Sequence, residues 1–143
     1  MTPIFIVILL GSLVNTSYRS VPEQTDASPN FTATGEKTCG HGIAISQDLL
    51  KKNGGPLEFG DTVYIDQIGL KIVNDVMNRR HKQRIDVWVA TYKEEKEFDL
   101  KFRNKKLKVW KIVTIFDKEP HKNEVRKMRI SNAKDQVWNI FLQ

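Results

Sequence analysis

Asp75 and Asp86 are the residues of this chain best suited to proton chemistry. Asp86 sits inside Ile85-Asp86-Val87-Trp88-Val89-Ala90, where Ile85, Val87 and Val89 alternate with Asp86 and Trp88. Such alternation marks a half-buried strand, and β-propensity disfavours aspartate there, so the carboxylate needs a reason. Solvent exposure, an ion pair with Arg80 or Arg84, or a turn cap would each suffice. The chemical reason is an acid held in a groove, its pKa raised by burial and by the negative charge of Asp75. Asp75 itself ends one strand and opens the basic loop Val76-Met77-Asn78-Arg79-Arg80-His81-Lys82-Gln83-Arg84.

Other chemistries have weaker support. Cys39 is the single cysteine, which excludes an internal disulfide and a four-cysteine zinc site. Cys39-Gly40-His41 on a glycine turn cannot bring a thiolate and its base into attack geometry, and His41, His81 and His121 lack ligand spacing. Neither a phosphate-cradling glycine loop nor a Gly-x-Ser-x-Gly elbow occurs. No metal and no cofactor is expected.

The elements that must position the acids read as short strands. Gly42–Ile45, Thr62–Ile65, Gly69–Val73, Ile85–Ala90 and Leu107–Val113 are β-branched or alternating, with turn residues such as Lys51-Lys52-Asn53-Gly54-Gly55-Pro56 between them. Thr91 is placed to cap a short helix through Phe98, with Glu94 three residues on. A chain of 143 residues has room for one domain. About six short strands and little helix predict a small, mainly β barrel, which leaves no exposed edge.

The ends differ in character. Ile4–Val14 is an uncharged apolar run of signal-peptide length, so residues 1–17 are expected to be an export signal or an uncleaved anchor. Residues 18–30, rich in Ser, Thr, Pro and Asn, read as a linker to a folded domain over 31–115. Residues 116–143 are highly charged, then end in Val137-Trp138-Asn139-Ile140-Phe141-Leu142, an extension expected to pack on the barrel. Residues 1–30 carry one base against two acids, so the remainder is more basic than the whole chain's +6. An anionic partner fits that balance.

Four runs share one resemblance: Gly42-Ile43-Ala44-Ile45-Ser46-Gln47-Asp48-Leu49, Gly60-Asp61-Thr62-Val63-Tyr64-Ile65, Val73-Asn74-Asp75-Val76-Met77-Asn78 and Arg84-Ile85-Asp86-Val87-Trp88. Together they resemble the 3D (three-aspartate) domain of the double-psi β-barrel superfamily. Stationary-phase and resuscitation wall hydrolases, MltA-type lytic transglycosylases, RlpA-like proteins and expansins share that barrel. Phe31-Thr32-Ala33-Thr34 is similar to the family's opening strand, and the match runs over about residues 31 to 113. Asp75 and Asp86 fall on the second and third family aspartates. Ser46 stands at the first, with Asp48 two residues on.

The resemblance implies a six-stranded double-psi barrel with one or two short helices. It implies a peptidoglycan lytic transglycosylase that is secreted or periplasmic and acts as a monomer on the bond between N-acetylmuramic acid and N-acetylglucosamine. Asp86 would be the catalytic acid with Asp75 beside it, and Thr32, Asp48, Tyr64, Asn78 and Arg80 would bind the glycan. The alternative, favoured by Ser46, is a non-catalytic wall-binding or wall-loosening module of the expansin or RlpA kind. A nucleic-acid-binding domain would rest on charge alone, with Trp88 and Trp110 as stacking platforms, and is not expected.

Overall fold

The computed structural model describes residues 3–25 and 28–115. The described elements are β1 (Ile4–Tyr18), β2 (Gly42–Ile45), β3 (Thr62–Ile65), β4 (Gly69–Val76), β5 (Arg84–Trp88), α1 (Tyr92–Phe102) and β6 (Lys106–Ile115). The strands close into a barrel in the order β1-β5-β2-β4-β3-β6, so the mainly β ring that the strand pattern predicts is the one that forms. Two neighbouring pairs are parallel, β1 with β5 and β2 with β4. The pairs β2–β5, β3–β4 and β3–β6 are antiparallel.

The chain divides into two units, one of them Ile8–Ile112. Of the second, residues 3–7 and 113–115 are described and belong to β1 and β6. The larger unit holds the hydrophobic core. Ile43, Ile45, Val63, Ile65, Val73, Ile85 and Val109 are wholly buried, with Leu13 and Leu57 packed among them. Each such side chain removed from water contributes about 1.5–3 kcal/mol. Along β3 and β5 burial alternates with a period of two, so Val63, Ile65, Ile85 and Val87 face inward and Tyr64 and Asp86 face outward.

The barrel begins earlier than the sequence suggests. Residues 4–18, read from the sequence as export signal and the start of a linker, form β1, and Val14–Tyr18 runs parallel to Arg84–Trp88. Leu13, Asn15 and Tyr18 are buried there. An apolar run of β-branched residues satisfies a barrel strand as readily as the core of a signal peptide, so composition alone could not separate the two. Phe31–Thr34 is accordingly not the opening strand: Phe31 makes one isolated bridge, to Lys37, and a turn lies between. The expected extension over 116–143 lies outside the described residues.

The helix forms where its cap predicts. The Thr91 hydroxyl accepts from Glu94 N at 3.2 Å, and the Glu94 carboxylate accepts from Thr91 N at 3.0 Å, a reciprocal capping box. α1 runs four residues past Phe98, to Phe102, because the two phenylalanines fall on one face, 5.1 Å apart, and pack on the core. Among the described residues no helix is long and apolar enough to cross a membrane.

Candidate active site

One row of residues crosses four strands on the outer face of the barrel. Thr16 of β1 is the register partner of Asp86 on β5, Asp86 pairs with Ala44 of β2, and Ala44 pairs with Asp75 of β4. Register partners share a face, so the two acids flank a small alanine on adjoining strands. An irregularity makes this possible. The β2–β4 register slips between Ile43, which meets Val73, and Ala44, which meets Asp75, leaving Asn74 as an extra residue. Without that bulge, strict alternation would put Asp75 on the inner face with Val73. The bulge aims it outward.

Each acid is held differently. Thr16 Oγ1 donates to Asp86 Oδ1 at 2.7 Å. The Asp86 carboxyl is raised to about 6: burial raises it, the Thr16 hydrogen bond lowers it, Asp75 and Asp99 raise it, and Arg84 lowers it. Burial is thus the leading cause, and the charge of Asp75 is a secondary one. Asp75 is a braced carboxylate: Oδ1 accepts from Ala33 N at 3.0 Å and Val76 N at 2.8 Å, and Oδ2 accepts from the Tyr18 hydroxyl at 3.2 Å. Tyr18 is buried against Ala44 and Met77, with Trp88 beside them. Its phenol is raised above the ordinary range by burial and by Asp75, so it remains a neutral donor.

Asp75 and Asp86 open into one groove of about 440 Å³, with Tyr18, Gln47, Asn78, Arg80 and His81 also on its walls. Among the described residues a third carboxylate, Glu23, lines the groove and is exposed. A partly buried acid with a pKa near neutrality beside open space is the arrangement that proton donation to a bound ligand requires. Among the described residues no cluster of His, Cys, Asp and Glu could hold a metal ion.

The structure brings together Asp75, Asp86, Asn78 and Arg80, and it separates the other expected residues from them. Thr32 is buried in its own turn, its hydroxyl bonded to that of Thr34 at 2.9 Å, and does not line the groove. Asp48 instead accepts from Gln83 N and Gln83 Nε2 at 3.0 and 2.8 Å, anchoring the end of the basic loop. Tyr64 sits on another sector of the outer face, its ring 5.8 Å from that of Trp110. β-Branched and aromatic composition marked the strand that carries Tyr64 but not which part of a closed ring it occupies. Ser46 is wholly buried, its Oγ accepting from Arg84 N at 3.0 Å, so it tethers β2 to β5.

Thr16 and Tyr18 are the residues that sequence reasoning missed. Their signal was present, since Thr and Tyr favour strands and sit two apart on one face. Asn15 and Ser17 beside them gave the stretch the look of a linker. Comparison with known proteins adds no identity: no protein-family model matches the chain, and no curated protein matches it.

Proposed function

We propose that this protein is a glycan-cleaving enzyme of the lytic transglycosylase type, built on a 3D-type double-psi β-barrel and acting on peptidoglycan. The observation that carries the reading is Asp86, partly buried in an open groove, held by Thr16 and pushed up to about 6. The ring order with its two parallel pairs supports the double-psi assignment. A wall substrate implies a secreted or periplasmic location.

The chemistry needs one acid. Protonated Asp86 donates to the glycosidic oxygen as the bond from that oxygen to the muramyl anomeric carbon breaks. The muramyl 6-hydroxyl oxygen then attacks that carbon and gives its proton to the Asp86 carboxylate, which restores the acid and closes a 1,6-anhydro ring without consuming water. Ordinary glycoside hydrolysis needs a second carboxylate free to activate water or attack the sugar. Asp75 accepts three hydrogen bonds, which suits a positioning residue better than a base.

Asp86→Asn tests the reading. The variant is expected to lose at least ~10³-fold of the peptidoglycan-solubilising rate, and mass spectrometry of the wild-type digest is expected to show anhydro-muramyl ends. Equal solubilisation by the variant, or products with reducing ends only, overturns it. Ser46, turned to a structural tether where the family has an aspartate, favours the second reading, a wall-binding module without turnover. That reading predicts capture of the protein on insoluble peptidoglycan with no anhydro product.

A further inference from the structure

The loop from Asn78 to Arg84 carries more charge than a turn between two strands needs. Arg79, Arg80, Lys82 and Arg84 fall within six residues, and among the described residues none of them makes an ion pair. Cations in a row repel one another and call for a counter-charge; Arg84 has Asp86 nearby. The loop is also fixed in shape. At its start Arg80 N donates to Asn78 Oδ1 at 3.1 Å and His81 N to Asn78 O at 3.0 Å. At its end Gln83, in the left-handed region with φ 51°, is held by Asp48 through two hydrogen bonds. Both Arg80 and His81 line the groove that holds Asp75 and Asp86. Arg80 Nε donates to His81 Nε2 at 3.3 Å, which leaves the two terminal nitrogens of the guanidinium to meet a ligand.

We propose that this wall is an anion reader: Arg80, oriented by His81, takes a carboxylate borne by the glycan that lies in the groove. The proposal rests on the glycan reading above and names which glycans the site prefers. A planar guanidinium presenting its two terminal NH2 groups matches a carboxylate in bidentate fashion. Among the described residues the groove's charge is divided, with acids at Asp75, Asp86 and Glu23 and a fixed cation at Arg80. A polymer charged at every unit, such as nucleic acid, would set phosphates against these acids. A glycan with neutral rings and spaced carboxylates presents neutral surface to the acids and its anion to Arg80. His81 supports this placement: burial and the neighbouring charges of Arg80 and Arg84 lower its pKa, so it stays neutral and can accept from Arg80.

The test is equilibrium binding by the full chain carrying Asp86→Asn, which removes turnover. The probes are two tetrasaccharides, one alternating N-acetylglucosamine with N-acetylmuramic acid and one of N-acetylglucosamine alone. The muramyl probe is expected to bind about tenfold more tightly. Adding Arg80→Gln is expected to bring the two probes within about twofold, while Arg79→Gln, outside the groove lining, leaves the preference in place. Arg80 is exposed, and an unchanged thermal midpoint checks that the variant is folded. Equal binding of both probes to the parent overturns the anion reader and leaves the glycan reading standing, as does a preference that survives Arg80→Gln or falls equally with Arg79→Gln. Failure of both probes to bind overturns the glycan reading, and the anion reader with it.

Discussion

Thr16 works against burial. Its hydroxyl donates to Asp86 and favours the ionised carboxylate, while the surrounding protein favours the neutral acid, and the balance leaves the group near 6. A general acid must hold its proton when substrate binds, so kcat/KM should fall as pH rises through about 6. Thr16→Val keeps the side chain's shape and removes the donor. The midpoint of that fall should then move upward by about one pH unit, with the plateau at low pH little changed. A pH–rate series on both proteins reads it; a midpoint that stays put would show that Thr16 does not touch the ionisation, and one that moves down would show that it favours the neutral acid. Asp86 was legible in the sequence because a carboxylate in a β-branched strand violates a local preference. Thr16 was not, because nothing in a strand-forming threonine announces the residue it will meet.

At the scale of elements, the legible parts were those that carry their own pattern. β-Branched and aromatic residues marked β3, alternation marked β5, and the pair Thr91 and Glu94 marked the start of α1. The bulge that turns Asp75 outward left no such trace, since it depends on how β2 and β4 meet and not on either strand alone. The turn after the two short helical segments Gln47–Leu49 and Lys51–Asn53 is equally dependent on contact. There Gly55 lies so close to the backbone of Leu49 that an added Cβ would stand 2.2 Å from the Leu49 carbonyl carbon and 2.3 Å from its oxygen. Backbone cannot swing aside as a side-chain tip can. Gly55→Ala should therefore destabilise the protein by about 3 kcal/mol, measured by denaturant unfolding. A loss under about 0.5 kcal/mol, as for an ordinary surface site, would show that the turn adapts.

For the whole molecule, the same acid sets a stability that depends on pH. The Asp86 carboxyl titrates at 3.8 in its ordinary state and at about 6 in the fold. The native state therefore binds this proton more tightly than the unfolded chain does. Below pH 4 both states hold it and it costs nothing; as pH rises through 6 the native state must ionise a buried group, a cost of about 3 kcal/mol at pH 8. Asp86→Asn should remove that cost. Unfolding free energies should show the variant gaining on the wild type from pH 4 to pH 8, and a difference that is flat with pH would contradict the account. The Thr16–Asp86 hydrogen bond has a kinetic consequence as well. It joins residues 70 apart in sequence, across the parallel pairing of the first strand with the fifth. Contacts of such separation form late, after loop-closure entropy has been overcome. A growing or half-folded chain thus carries an ordinary aspartate at position 86, and the unusual acid comes into being only when the ring closes.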